Sequence, residues 1–257
     1  VFPVYFVARI SHKAESTGYW KLQPEMTGVE AAWSGDSGQY KIYKSYSREM
    51  MGNDIGFYFS LGEVEPGTEV EIKVGVSYTS IENARRNLDA EVGGRTFDEV
   101  RAEAHDVWSD ALGKIRVTGG SDEDKTMFYT GLYHALLHPN ILSDVNGEYP
   151  AMESGATGLA ADYDRYTVFS LWDTYRNVHQ LLTLAYPDVQ TDMIRSMVAM
   201  SEEWGWLPRW ELYGRETFTM EGDPAIPVIV DSYLKGLRDF DVEVAYEAMK
   251  RSATTPG

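Results

Sequence analysis

The sequence contains no cysteine, which excludes a disulfide framework, a thiolate metal site and a cysteine nucleophile. Basic residues are also scarce: Lys and Arg number 23 against 40 Asp and Glu, for a net charge of −17. The close basic pairs Arg85-Arg86 and Lys250-Arg251 fall in helical patterns and read as solvated surface, so phosphate repulsion excludes a nucleic-acid partner. No apolar run is long enough to span a bilayer as a helix. There is no GxGxxG turn, P-loop or HExxH motif, and no Ser-His-Asp order with a supporting motif, so nucleotide cofactors and those hydrolase classes have no support. His134 and His138 have the i,i+4 spacing that suits zinc, but no third ligand is near and a core or helix-capping role is expected.

What is abundant is aromatic surface, with 7 Trp and 17 Tyr in 257 residues. Such rings fill cores, and they also stack on sugars. The length allows one large domain or two smaller ones, and 43% apolar against 25% charged residues is the balance of a folded chain. The acidic surface is compatible with calcium or a neutral sugar and does not choose between them.

The first eighty residues read as strands. Val4, Phe6, Ala8 and Ile10 alternate with other residues, and Val70, Ile72, Val74, Val76 and Tyr78 alternate with Glu71, Lys73, Gly75 and Ser77, which predicts a half-buried antiparallel sheet. Shorter strands are expected at 39–45 and 56–61, with turns at 33–38, 52–54 and 65–67. The period becomes helical at 80–88 and 97–112, where Phe97, Val100, Ala104, Val107, Trp108 and Ala111 form a stripe. A last short strand is expected at 115–117, after which Ser121 and three acidic residues open a helix. Helices are then expected at 122–137, 168–185, 190–204, 225–237 and 242–252. Leu171, Trp172, Tyr175, Val178 and Leu182 form one stripe; Met193, Ile194, Met197, Val198 and Trp204 form the next, with Gly205 as C-cap. The expected fold class is a β-sandwich followed by an α/α toroid: sandwich at 1–80, helical linker and short strand at 81–120, stacked helices at 121–257.

Two loops are rich enough in special residues to carry function. In residues 138–167, Asp144, Asn146 and Glu148 are spaced like the start of a calcium loop. The rest of such a loop is missing, however, and an Asx-type turn at Asn146-Gly147 is the expected reading. In residues 205–224, Trp206 and Trp210 follow Trp204 closely among Arg and carboxylates, the mixed lining that sugar sites use. A glycosidase needs two carboxyl groups; Glu211, Glu216, Glu221 and Asp223 are candidates by type, with at least three expected to be plain surface carboxylates. Between the loops, Asp173 falls in the first turn of a helix, and Arg176, one turn on, is placed to pair with it.

At these residues the chain resembles glycoside hydrolase family 92, the exo-acting α-mannosidases. The matching stretches are Val74-Gly75-Val76-Ser77-Tyr78, Ala84-Arg85-Arg86-Asn87-Leu88, Phe128-Tyr129-Thr130-Gly131-Leu132-Tyr133-His134, and Asp144-Val145-Asn146-Gly147-Glu148-Tyr149. They continue with Phe169-Ser170-Leu171-Trp172-Asp173-Thr174-Tyr175-Arg176, Gly205-Trp206-Leu207-Pro208-Arg209-Trp210 and Met220-Glu221-Gly222-Asp223-Pro224-Ala225. The resemblance implies an N-terminal β-sandwich, a helical linker and an (α/α)6 barrel, together with inverting hydrolysis of terminal α-mannosides assisted by calcium. It further implies that Trp172, Asp173 and Arg176 contact the mannose of a glycan, with Met220, Gly222 and Asp223 beside them.

The family's general acid, base and main calcium ligands lie in segments that this sequence lacks, so they are expected beyond Gly257. Both ends look cut, the rest of the chain is expected to close the barrel, and a secreted or periplasmic location is implied. The competing readings are an α-glucosidase of the same architecture and a non-catalytic carbohydrate-binding or scaffold protein.

Overall fold

A computed structural model describes residues 3–22, 40–44, 51–52 and 54–254. The chain divides into two compact units, Ala8–Lys73 and Val1–Val7 with Val74–Gly257. It opens with strands β1 (Tyr5–Ile10), β2 (Ser16–Leu22), β3 (Tyr40–Lys44), β4 (Ile55–Ser60) and β5 (Ile72–Ser77). β2 is central to an antiparallel sheet of order β3-β2-β4, with Tyr19 opposite Tyr43 and Phe57. β2 was not anticipated from the sequence because its Ser16-Thr17-Gly18 start shows no apolar alternation. β5 pairs with β1. The expected turn at 65–67 is present, with Gly67 at φ 87° and Thr68 N–H donating to Glu65 O at 3.1 Å. The one expected at 33–38 lies outside the described residues.

The alternation in β5 is real, but its apolar face is the exposed one: Ile72, Val74 and Val76 are open while Gly75 and Ser77 are buried. Glycine explains this. A Cβ on Gly75 would stand 2.2 Å from Ala84 O and 2.6 Å from Leu88 Cβ, so only glycine lets a helix approach so closely. That helix is α1 (Ile81–Glu91), capped by Ser80 accepting from Asn83 N. Next come α2 (Phe97–Gly113) and α3 (Asp122–Ala135), both begun by reciprocal capping boxes, Thr96 with Glu99 and Ser121 with Asp124. The stripe foreseen on α2 is not a buried one, since no α2 residue is buried and Phe97 and Val107 are largely exposed. Residues 115–117 form no strand.

Short pairs then organise the first long loop: β6 (Asn140–Ile141), β7 (Glu148–Pro150), β8 (Thr157–Leu159), β9 (Tyr166–Thr167) and β10 (Phe169–Ser170). β6 pairs with β9 and β7 with β8. The helix expected at 168–185 is broken: β10 occupies its start, α4 covers only Leu171–Thr174, and α5 runs Val178–Ala185. Pairing of β10 with β11 (Trp210–Glu211) accounts for the break, because the backbone there is drawn into a ladder before it can coil. The chain is completed by α6 (Pro187–Trp204), α7 (Ala225–Leu234) and α8 (Val242–Thr254). Gly205 ends α6 in the left-handed region at φ 111°, as a C-cap should. The main core gathers Phe169, Leu171, Leu182, Ile194, Met197, Met200 and Ile229 on α4–α7 and β10. No helix of the described residues is long and apolar enough to cross a membrane.

Candidate functional site

The segment from Thr167 to Arg176 begins in the core, with Thr167, Phe169 and Leu171 buried, and turns outward at Trp172. Val168 has φ 65°, a conformation that costs a β-branched residue about 1–3 kcal/mol and persists only where neighbours impose it. Here the neighbour is Glu211. Its Oε2 accepts from Val168 N at 2.9 Å, and its Oε1 accepts from Thr167 Oγ1 at 2.8 Å and from Gly214 N. Thr167 Oγ1 in turn accepts from Tyr213 N at 2.9 Å. Burial pushes the Glu211 carboxyl upward, against the pull of Gly214 N–H, the Thr167 hydroxyl, the nearby Arg165 guanidinium and Val168 N–H.

The backbone then runs through β10, with Phe169 opposite Glu211 and Ser170 opposite Trp210, and Leu171 N donates to Arg209 O at 3.3 Å. Leu171 is fully buried and anchors α4. Its successors Trp172 and Asp173 point outward, Trp172 being 36% exposed. The Asp173 carboxylate accepts from Ser170 Oγ. The expected Asp173–Arg176 ion pair is not made. The Arg176 guanidinium instead lies over the Trp172 indole, 5.0 Å from its centre, and near the Tyr175 ring, because α4 ends at Thr174 and Arg176 lies in the turn beyond it, out of helical register with Asp173.

Met220, Gly222 and Asp223 sit at the far end of the second loop, Met220 and Gly222 with positive φ. Arg209 joins the two stretches: its carbonyl holds Leu171, and its Nη2 reaches Asp223 Oδ1 at 3.4 Å. The carboxylates of this loop are not mostly surface groups as expected, since Glu211 and Glu216 are buried. Glu216 accepts from Arg209 N, Trp210 N and Phe218 N at 2.8, 3.0 and 3.0 Å, fixing the loop from inside. A loop lacking regular ladders must pair its amides somehow, and these two side chains supply the acceptors. The tryptophans do not make one wall: Trp204 packs edge-on against Trp206 and Phe218, whereas Trp210 joins β11.

Behind α4 lies a polar chain with no signature in the local sequence pattern. His179 is buried, with Nε2 2.9 Å from Thr174 Oγ1 and Nδ1 3.0 Å from Gln190 Oε1. The Gln190 oxygen can only accept, which places the proton on Nδ1, and burial lowers the basicity of the ring. Gln190 continues to Ser232 at 3.1 Å.

In the first loop, the Asp144 carboxylate is taken up by side-chain donors. Its Oδ2 accepts from Ser77 Oγ at 2.8 Å, from Thr79 Oγ1 at 2.5 Å and from Asn83 Nδ2 at 3.0 Å, and its Oδ1 accepts from Asn87 Nδ2 at 2.7 Å. Glu148 accepts from the same Asn83 amide at 2.6 Å. Asn146 forms the expected Asx turn, its Oδ1 accepting from Glu148 N at 3.2 Å. Among the described residues no group of three or more His, Asp or Glu could hold a metal ion. His134 and His138 are both exposed, so a core role is excluded for either. Deeper in this loop Arg165 is completely buried, 2.9 Å from Glu203 and 4.5 Å above the Tyr149 ring. Glu203 also accepts from Tyr149 Oη at 2.8 Å and Met152 N at 2.6 Å.

Comparison with known proteins fits this geometry. The family described as glycosyl hydrolase family 92 catalytic domain matches residues 83–257. The fold superposes on the family 92 α-mannosidase BT3965 of Bacteroides thetaiotaomicron with a TM-score of 0.82 and 34% identity, over 99% of this chain and 32% of that one. The same mannosidase in complex with mannoimidazole gives 0.81, again at 34% identity, over 98% and 31% of the two chains. The family 92 inverting mannosidase BT2199 of the same organism gives 0.81 at 27% identity, over 97% and 31%. An uncharacterized secreted glycosidase of Arthroderma benhamiae is 29% identical over 72% of this chain and 20% of its own. The chain belongs to glycoside hydrolase family 92, and it spans about a third of the mannosidases and a fifth of the fungal glycosidase it matches.

Proposed function

We propose that this chain forms the sugar-holding part of an exo-acting, inverting α-mannosidase, with Trp172, Asp173, Arg176, Met220, Gly222 and Asp223 around the terminal mannose. The observation that carries the reading is the tie between the two stretches through β10, β11 and Arg209, which meets Leu171 with its carbonyl and Asp223 with its guanidinium. In this reading Trp172, backed by Arg176, offers its indole to the apolar face of the pyranose, and Asp173, oriented by Ser170, accepts hydroxyl protons. The complex of BT3965 with mannoimidazole and the description of BT2199 as inverting support the substrate and the stereochemistry.

An inverting reaction needs an acid and a base on opposite sides of the bond, with room for water. Glu211 and Glu216 do not suit those roles, because backbone amides already occupy both oxygens of each. Following the resemblance to the family, the general acid and base are assigned to the polypeptide beyond Gly257. Calcium is assigned there as well: Asp144 and Glu148, the oxygen donors of the first loop, are committed to Asn83 and its neighbours and do not fit an ion. The architecture proposed for the whole protein is a β-sandwich joined to an (α/α)6 barrel. The remaining chain would close the barrel and cover the open faces of β5 and α2, and a secreted or periplasmic location is proposed with it.

The test is release of mannose from an aryl α-mannoside by the natural full-length protein, with and without EDTA. Hydrolysis abolished by EDTA is the expected result, with none by the 257-residue segment alone. Equal turnover of an aryl α-glucoside would overturn the substrate assignment, and turnover by the segment would overturn the placement of acid and base.

A further inference from the structure

We propose that Glu211 is a positioning residue for the mannose pocket: from inside the protein, its carboxylate sets the direction in which the Ser170–Asp173 segment leaves the core and fixes that segment to the loop leading to Met220 and Asp223. The inference rests on the function proposed above and adds a residue that touches no sugar.

Three observations meet at this side chain. First, Glu211 is fully buried, and both oxygens are used: one by Val168 N, the other by Thr167 Oγ1 and Gly214 N. Second, Val168 is held at φ 65° four residues before Trp172, so the amide bonded to Glu211 belongs to a residue whose own preference opposes its conformation. Third, Thr167 Oγ1 passes the restraint on by accepting from Tyr213 N at 2.9 Å, so Oε1 is tied to the segments before β10 and after β11 together, while Oε2 holds Val168 alone. The charge has a counterpart in the neighbouring Arg165, which Glu203 holds at 2.9 Å.

The chemistry makes a sharp demand on residue type. Every group facing Glu211 Oε1 and Oε2 is a donor. Glutamine keeps the shape but replaces one oxygen with an NH2 group, which must face either Val168 N–H or Gly214 N–H, donor against donor. Val168 is then free to relax to negative φ, which re-aims Ser170 and Asp173.

The experiment uses the natural full-length protein and four variants: E211Q, T167V, T167S and, as a stability control away from the pocket, N87A. Binding of mannoimidazole is measured by calorimetry, KM and kcat on an aryl α-mannoside, and folding by circular dichroism and Tm. Folded E211Q is expected to raise Kd and KM by about tenfold or more, the scale on which a small displacement of positioning groups acts. T167V is expected to follow in the same direction, and T167S, which keeps the hydroxyl, to stay within about twofold of the parent. N87A is expected to lower Tm with Kd unchanged, showing that lost stability alone does not weaken binding. E211Q with lowered Tm but Kd and KM within about twofold of the parent would overturn the inference, leaving a purely structural carboxylate. Should E211Q fail to fold, T167V decides by the same criterion. A parent that binds no mannoimidazole and releases no mannose would overturn the function reading, and the inference with it; a parent that does both while E211Q matches it overturns the inference alone.

Discussion

Asp144 and Glu211 are both buried carboxylates at the base of a long loop, and both have every oxygen occupied by donors. They differ in where the donors come from. Asp144 is held by four side chains, Ser77, Thr79, Asn83 and Asn87, from the end of β5 and from α1. Glu211 is held by two backbone amides and one hydroxyl from the strands beside it. The first arrangement joins the first long loop to β5 and α1, and none of the residues proposed to contact mannose bonds to it. The second is proposed to set backbone direction beside the proposed mannose pocket. A buried carboxylate is thus informative less by its charge than by the kind of donor it meets.

The largest test of that contrast is Asp144→Ala, which removes the acceptor shared by four donors and leaves the Asn83 and Asn87 amides only their bonds to Thr79, Glu148 and Val76 O. A loss of about 4 kcal/mol is expected from urea unfolding; a loss below about 1 kcal/mol would show the cluster to be solvated in practice. Next is Glu203→Gln, which leaves the fully buried Arg165 without its ion-pair partner. About 3 kcal/mol should go, because the buried guanidinium loses its direct ion pair and keeps only the neighbouring Glu211 carboxylate as counter-charge, and a variant as stable as the parent would refute the pairing.

A smaller effect separates the polar chain at His179 from both carboxylates. Burial holds this histidine below its ordinary 6.5, so the unfolded chain takes up a proton as pH falls through 6.5 while the folded one does not. Its contribution is therefore complete above that value and drains away as the pH drops toward the folded pKa. Tm measured against pH for the parent and His179→Gln should show the parent losing stability relative to the variant as pH falls below 6.5. Parallel curves would mean that the ring is protonated in place.

The smallest stability effect belongs to the pocket rim. Arg176→Ala should change unfolding free energy by no more than about 0.5 kcal/mol, as for other exposed positions. It should nevertheless weaken mannoimidazole binding, because Trp172 loses the guanidinium that backs its ring. Unchanged calorimetric affinity would remove Arg176 from the proposed site.

Much of the scaffold was legible from local pattern. Capping at Ser121, the C-cap at Gly205 and the apolar stripe of Met193, Ile194, Met197 and Val198 all stand where short-range rules put them. The candidate site was legible only in part. The run Ser170 to Arg176 was identifiable, but not the break of its helix, because β10 forms with a partner some forty residues on. Arg209 looked like one more polar loop residue until its two ends were seen to meet Leu171 and Asp223. Asn83 and Asn87, one helical turn apart beside buried Ala84 and Leu88, were a signal that could have been read as a buried polar stripe on α1.

What the sequence by itself determined is the family, through motifs in order, and the elements whose signals span a few residues: caps, turns, periodic helices and the alternation in β5. Only the tertiary structure decided which face of β5 is covered, which carboxylates are buried, and which residue binds the two stretches of the site together. The reason is the range of the interactions. Propensity, capping and periodicity act within a turn or two of the chain, whereas the donors of Glu211, the fit of α1 on Gly75 and the two-sided reach of Arg209 exist only after distant segments have packed.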